Sequence, residues 1–361
     1  MKKLLALALA AVMVFALVAC GGSGSTGGQT APSAPASSDT PSAPAASGDI
    51  TVNDSDPNVT IMIAHSSGED TVLNRACLKY KELAEAYSNG KITVDVYPNG
   101  TLISVAEMNE AIKDGSVQMI VGSPGGMMSD AIGILELPNL VNSIEQAHEV
   151  MQPGTDFRNL LNSVFEDVGV RLQGIEPCDF RMLTSNRPVN SYEELAGLRI
   201  RLMDSPVPMA YWKQWGANPG PLAWSEVYMA LQQNMFEAQE NPYDSIIASN
   251  LQEVQKYLIQ TNHVMFYTAL MMNKAFYDSQ PDNYKAILDK VAEEVCAYTY
   301  QDAQDSSAAN RQKLEDAGMT YIALTEDDYA KMRANATDAD SIVKSAIGDE
   351  QFSKMMAALG F

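Results

Sequence analysis

The residues best placed for binding chemistry lie between Gly197 and Pro242, in the run GLRIRLMDSPVPMAYWKQWGANPGPLAWSEVYMALQQNMFEAQENP. LRIRL alternates apolar and basic residues, which predicts a short strand. Ser205 followed by Pro206 predicts a helix start, and Gly216 a stop. Arg201 therefore falls near the end of a strand that feeds a helix N-terminus. A guanidinium beside unpaired backbone N–H groups is a place to hold an anion. The alternative for Arg201 alone is a surface ion pair with an acidic neighbour.

The neighbouring motifs extend this reading. Arg181 stands upstream in DFRMLTSNRPVNSYEEL, and Asn241 downstream in QENP. With GLRIR, WGANPGP, SEVYMALQ and EVQKYLIQTNH they form an ordered series up to His263. The series resembles the substrate-binding proteins of the tripartite ATP-independent periplasmic (TRAP) transporters, the DctP-type family, strongly from Arg181 to His263 and weakly from Asn58 to the C-terminus. The resemblance implies an α/β, two-domain, periplasmic-binding-protein-like fold, with a ligand cleft between the domains and a long helix spanning both. It implies a carboxylate ligand held by Arg201 as principal salt bridge, Arg181 as auxiliary and Asn241. The alternative for Arg181 is an interdomain ion pair, and for Asn241 a helix C-cap beside Pro242. It also implies TRAP membrane subunits as partners and no catalysis. The family's usual Asp-Gly-Gln-Glu-Asn-Pro reads Glu237-Ala238-Gln239-Glu240-Asn241-Pro242 here. Loss of the glycine predicts a more regular helix before Asn241.

Trp224 falls where the family often sets an aromatic against the ligand body, with core packing as the alternative. Asp204 could accept from a ligand hydroxyl. Together they favour a sugar acid such as a hexuronate over a C4-dicarboxylate or a small keto or aromatic acid. A ligand sensor presenting itself to a receptor would use the same cleft.

The elements that must position these residues follow from periodicity. VTIMIA (Val59–Ala64), ITVDVY (Ile92–Tyr97) and Met119–Gly122 predict strands. Helices over 71–88 and 106–114 lie between them, an order that argues for a parallel sheet. Loops beyond strand ends are where open α/β sheets meet ligands, so His65, Ser66 and Glu69 after the first strand, and Ser123 after the third, are candidate contacts. Further helices are expected over 157–168 and 225–239, with Val227, Leu231, Met235 and Ala238 sharing one face. Strands are expected over 170–175, 257–261 and 263–272. A helical run from Ser279 to Gly318 is expected to cross both domains, or else to break near Ser306-Ser307. The tail from Asp327 to Leu359 is expected to be helical. The domains are expected as 56–178 with 267–306, and 179–266 with 307–361.

The N-terminus reads as a secretion signal over residues 1–19, Lys2 and Lys3 preceding an apolar stretch too short for a comfortable membrane span. LVAC resembles a lipobox that makes Cys20 the lipidated N-terminus, anchoring a protein on the outer face of the bacterial cytoplasmic membrane or in the periplasm. Residues 20–55, rich in Gly, Ser, Ala and Pro, predict a disordered tether. The lipid is the only membrane attachment expected. A formal charge of −21 argues against nucleic acid. Cys77, Cys178 and Cys296 lack metal spacing and read as buried residues, with a Cys77–Cys178 bridge the alternative. His65, His148 and His263 are far apart and carry no HExxH. No metal or cofactor is expected, no nucleophile–base pair is visible, and a monomer is expected.

Overall fold

The computed structural model describes residues 50–361; the signal, Cys20 and most of the expected tether lie outside the described residues. The last tether positions belong to the folded part: Ile50 and Val52 pack on a buried core. Asn283 Nδ2 donates to the Thr51 carbonyl at 3.1 Å.

The chain first lays down β1 (Val59–Ala64), α1 (Val72–Tyr87), β2 (Ile92–Tyr97), α2 (Val105–Asp114) and β3 (Met119–Gly122). Ile61, Ile63 and Ala64 of β1 have no exposed surface, as expected for a strand covered on both faces. Thr71 caps α1, and Ser104 with Glu107 forms a capping box on α2, satisfying amide groups that the helix cannot. A single 3-10 turn, Ile132–Glu136, precedes α3 (Ile144–Met151), α4 (Asp156–Asp167) and the long β4 (Val170–Phe180).

Arg181 alone separates β4 from β5 (Met182–Ser185). Then follow β6 (Arg199–Leu202), α5 (Pro206–Gln214), β7 (Asn218–Pro221), α6 (Val227–Gln232), β8 (Ala238–Asn241), α7 (Tyr243–Ala248) and β9 (Tyr257–Gln260). The chain returns through β10 (Met265–Asn273), α8 (Lys274–Asp278) and α9 (Asp282–Asp316), and ends with β11 (Thr320–Ala323), α10 (Glu326–Ala334), α11 (Thr337–Ile347) and α12 (Asp349–Ala358).

Two sheets result, one in each α/β lobe, with strand orders β2-β1-β3-β10-β4 and β11-β9-β5-β8-β6-β7. β1 to β3 are parallel, as expected, while β10 runs antiparallel to both β3 and β4. The chain passes between the sheets beside Arg181 and beside Val264. These crossings are paired: Phe180 lies opposite Met265, and the Arg181 N–H donates to the Val264 carbonyl at 2.8 Å.

The long helix α9 is unbroken over 35 residues, about 50 Å at 1.5 Å per residue. Tyr284, Ile287, Leu288, Val291 and Val295 recur at helical spacing and pack with α1 and the first sheet. Leu314, near its other end, joins the core that includes the second sheet. Ser307, where a break was the alternative, donates its hydroxyl to Asp179 Oδ2 at 2.7 Å.

One expected helix is cut short. Over 225–239 a 3-10 turn (Trp224–Glu226) leads into α6, which stops after Gln232; Asn234 then takes the left-handed region (φ 56°) and the chain enters β8. Met235, expected on the buried face, is 57% exposed. β8 pairs with β5, Asn241 opposite Met182 and Ala238 opposite Ser185. So Ala238, in place of the family's glycine, sits in a strand and not in a more regular helix. Cys77, Cys178 and Cys296 are free, and among the described residues no helix is long and apolar enough to span a membrane.

Candidate functional site

Between the two sheets lies a cavity of about 890 Å³. The loop after β1 contributes Ser66, Ser67 and Gly68, the segment after β3 contributes Ser123 and Gly125, and the 3-10 turn contributes Glu136. The second lobe contributes Arg181, Arg201, Asp204, Trp224 and Asn241. The structure thus brings together seven of the nine ligand-site candidates.

His65 and Glu69 are not among the lining residues. His65 is fully buried, and its Nε2 pairs with Asn74 Oδ1 at 3.1 Å. That bond puts the ring proton on Nε2 and leaves Nδ1 as a buried acceptor without a partner. Burial holds the imidazole pKa below its ordinary value despite the Asn74 bond. Asn74 Nδ2 donates to the Glu69 carbonyl at 2.9 Å, while the Glu69 side chain faces solvent. Both residues thus brace the loop that presents Ser66 to Gly68.

β6 delivers Arg201 to the cavity wall, 4% exposed. Its Nε and Nη2 donate to the Leu222 carbonyl at 2.9 and 2.6 Å. No carboxylate pairs with it among the described residues. Trp224 lies beside it, the guanidinium carbon 5.5 Å from the ring centroid. Burial lowers its pKa to about 10, partly offset by the field of Glu240. It stays a cation at neutral pH, desolvated and without a counter-charge, which is costly unless an anion arrives.

Arg181 is equally buried but has its anion. Its Nη2 donates to Glu240 Oε1 and to the Glu240 carbonyl, both at 2.8 Å, and its Nε faces Glu240 Oε2. His263 Nε2 meets the same Oε2 at 3.1 Å, and its Nδ1 meets Thr261 Oγ1 at 2.8 Å. Burial alone would raise the Glu240 pKa, yet Arg181 and His263 outweigh it and bring it down to about 2. The ion pair expected as the alternative for Arg181 is present, but both partners belong to the second lobe. Asn241 sits on β8 and donates to Gln239 Oε1 at 2.7 Å, so it is a strand residue and not a helix cap.

Ser205 stands at the N-cap position of α5 as expected, but its hydroxyl makes no capping bond. It donates instead to Glu136 Oε2 at 2.6 Å, across to the first lobe. Sequence reasoning missed Glu136, Tyr211 and Phe266 as lining residues. Glu136 opens the run ELPNLV, where nothing local marks it as a cavity residue. Tyr211 and Phe266 sit in apolar patterns that look like core. Asp204 is exposed at the rim, and Ser123 accepts from the Tyr267 N–H at 3.2 Å. Methionines 108, 127, 128, 203 and 271 form much of the apolar wall, and their flexible thioethers suit a surface that adapts to shape. Among the described residues no cluster of His, Cys, Asp or Glu could hold a metal.

Comparison with known proteins gives a consistent result. The family model "Bacterial extracellular solute-binding protein, family 7" (DctP) matches residues 63–344. The chain is 30% identical to the C4-dicarboxylate-binding periplasmic protein DctP of Rhodobacter capsulatus, covering 83% of this chain and 91% of that one. It resembles a TRAP periplasmic solute-binding protein of Ochrobactrum anthropi, with its C-terminus bound in the ligand pocket, at 31% identity and TM-score 0.75 over 84% of this chain and 95% of that one. A TRAP solute-binding protein of Roseobacter denitrificans with bound L-galactonate is 25% identical, TM-score 0.74, over 85% of this chain and 100% of that one.

Proposed function

Because the chain belongs to the DctP-type family of TRAP-transporter solute-binding proteins, we propose that it captures an organic monocarboxylate between its lobes and delivers it to TRAP membrane subunits. It is a binding protein and not an enzyme. Arg201 takes the carboxylate, since a planar fork of N–H donors matches two carboxylate oxygens. The observation that carries this reading is the buried Arg201 guanidinium, which faces the cavity with only a carbonyl for company. Asn241 and Arg181 complete that end of the site, Arg181 acting while still tied to Glu240.

The charge inventory supports one carboxylate and not two. Among the described residues Arg181 and Arg201 are the only cationic side chains lining the cavity, and Glu240 already neutralises Arg181. A second solute carboxylate would be desolvated with no cation of its own. Ser66, Ser67, Asn99, Ser123 and Asp204 offer donors and acceptors to a hydroxylated body. A sugar acid fits this lining, and a similar solute-binding protein holds L-galactonate. The methionine wall favours a second reading, a monocarboxylate with an apolar body.

A thermal-shift screen of residues 50–361 against sugar acids, aromatic acids and C4-dicarboxylates tests the reading. A solute at 100 times its Kd should stabilise by about 2.7 kcal/mol. A response to succinate with none to any monocarboxylate would overturn it. The protein is anchored through a lipid on Cys20, so Cys20→Ser should release it from membranes or block its processing. Normal cleavage with full membrane retention would refute the anchor.

A further inference from the structure

Glu136 occupies a slot built for a carboxyl group. Its Oε2 receives the Gly126 N–H at 2.8 Å and the Ser205 hydroxyl at 2.6 Å. A Cβ on Gly125 would fall 2.1 Å from Oε1, and one on Gly126 would fall 2.6 Å from Ser205 Oγ. Both glycines are therefore required for the carboxyl to lie where it does. Oε1 accepts or donates no hydrogen bond among the described residues. Unlike the sealed Nδ1 of His65, it is not a closed-off orphan, and Glu136 lines the cavity. Among the described residues no cation pairs with Glu136. With two donors already on Oε2, a proton on this group belongs on Oε1.

We propose that Glu136 contacts the captured solute as a carboxylic acid, donating from Oε1 to an oxygen of the solute and so helping to determine which acids are accepted. This rests on the cavity being the solute site. The surroundings favour the neutral form. Burial raises the Glu136 pKa to about 7, and the Ser205 and Gly126 bonds hold it from going higher. The facing charges are Arg181 and Glu240, which largely cancel each other. Tyr211 from α5 lies over the same floor, Arg201 and Asp204 line the same cavity, and neutral His263 sits behind Glu240. An arriving solute carboxylate adds another negative charge and further favours the proton on Glu136.

The consequence is proton-linked binding. Wild-type protein and Glu136→Gln are titrated calorimetrically with L-galactonate, galacturonate, orotate and succinate from about pH 5.5 to about pH 8.5. Wild type should lose affinity by about tenfold per pH unit once the pH exceeds the pKa of the carboxyl. Glu136→Gln keeps both bonds to Oε2 through its amide oxygen and presents N–H where the acid proton was. It should bind several-fold less tightly than wild type at the acid end, with a flat profile that crosses the wild-type line. Ser205→Ala removes the interlobe hydrogen bond that Glu136→Gln keeps, while leaving the acid in place, and should retain the wild-type slope. A flat wild-type profile, or an equal slope in Glu136→Gln, overturns the proposal and leaves the solute-binding reading standing. Binding of none of the four probes by wild type at any pH would overturn that reading and this one together.

Discussion

Arg181 and Arg201 stand twenty positions apart in the chain and are buried to nearly the same degree, 6% and 4% exposed. Arg181 is locked to Glu240 and, through it, to His263. Arg201 rests on a carbonyl. The difference separates a guanidinium that holds the structure together from one that is held ready. In a protein of formal charge −21, an unpaired internal cation is a local exception that only an anion from outside can complete.

The largest effect expected is on stability. Arg181→Ala strands Glu240 in a dry interior, and breaking one side of a buried pair costs about 3–5 kcal/mol. Denaturant unfolding should show a loss of that order; near-wild-type stability would mean that the pair is idle. Arg201→Ala should do the reverse, leaving stability level or slightly raised while removing about two to three and a half decades of affinity. A well-folded Arg201→Ala protein that binds its solute normally would erase the distinction between the two sites.

Arg201→Lys sharpens the comparison. The charge survives but the two-pronged donor does not, and about one decade of affinity, ~1.4 kcal/mol, should go. A Lys variant as weak as the Ala variant would show that geometry outweighs charge.

The smallest effect is a pH profile, and its two arms have opposite signs. Glu240 titrates near 2 in the folded chain, below the ordinary 4.5. Its stabilisation is present above the ordinary value and is lost as pH falls through about 2. Glu136 and Asp179 are raised by burial to about 7 and about 6. Their contributions are present below their ordinary values and are lost as pH rises through 6 to 7. Thermal melts should therefore peak at mildly acid pH. Asp179→Asn should flatten part of the neutral arm, and an unchanged arm would assign it elsewhere.

What the sequence made legible follows from where its signals are local. α9 was readable from end to end because Pro281 and Gly318 bracket a run without other breakers. β6 and the start of α5 were readable from LRIRL and Ser205-Pro206. β8 was not, because Gln239, Glu240 and Asn241 look like a solvated surface. Gln239 and Glu240 can be buried because Thr184, Arg181 and His263, all remote in sequence, supply their partners, and Asn241 bonds to Gln239 beside it. The same limit hid the partner of Ser205. A serine before a proline signals a cap, and nothing local reveals a carboxyl from the other lobe. Arg201 was found by its motif, whereas its lack of a counter-charge becomes visible only when every neighbouring acid has been placed.

The paired crossings at Arg181 and Val264 carry one more consequence. Two strands hydrogen-bonded edge to edge make a two-ply strap, which flexes more readily across its flat face than within its plane. Such a strap suits lobes that swing like the covers of a book, with the unbroken α9 as a second tie between them. Arg181 is itself a stitch in that strap, since its N–H ties one ply to the other while its side chain reaches the cavity. A solute tugging on that guanidinium therefore pulls at the spine of the book.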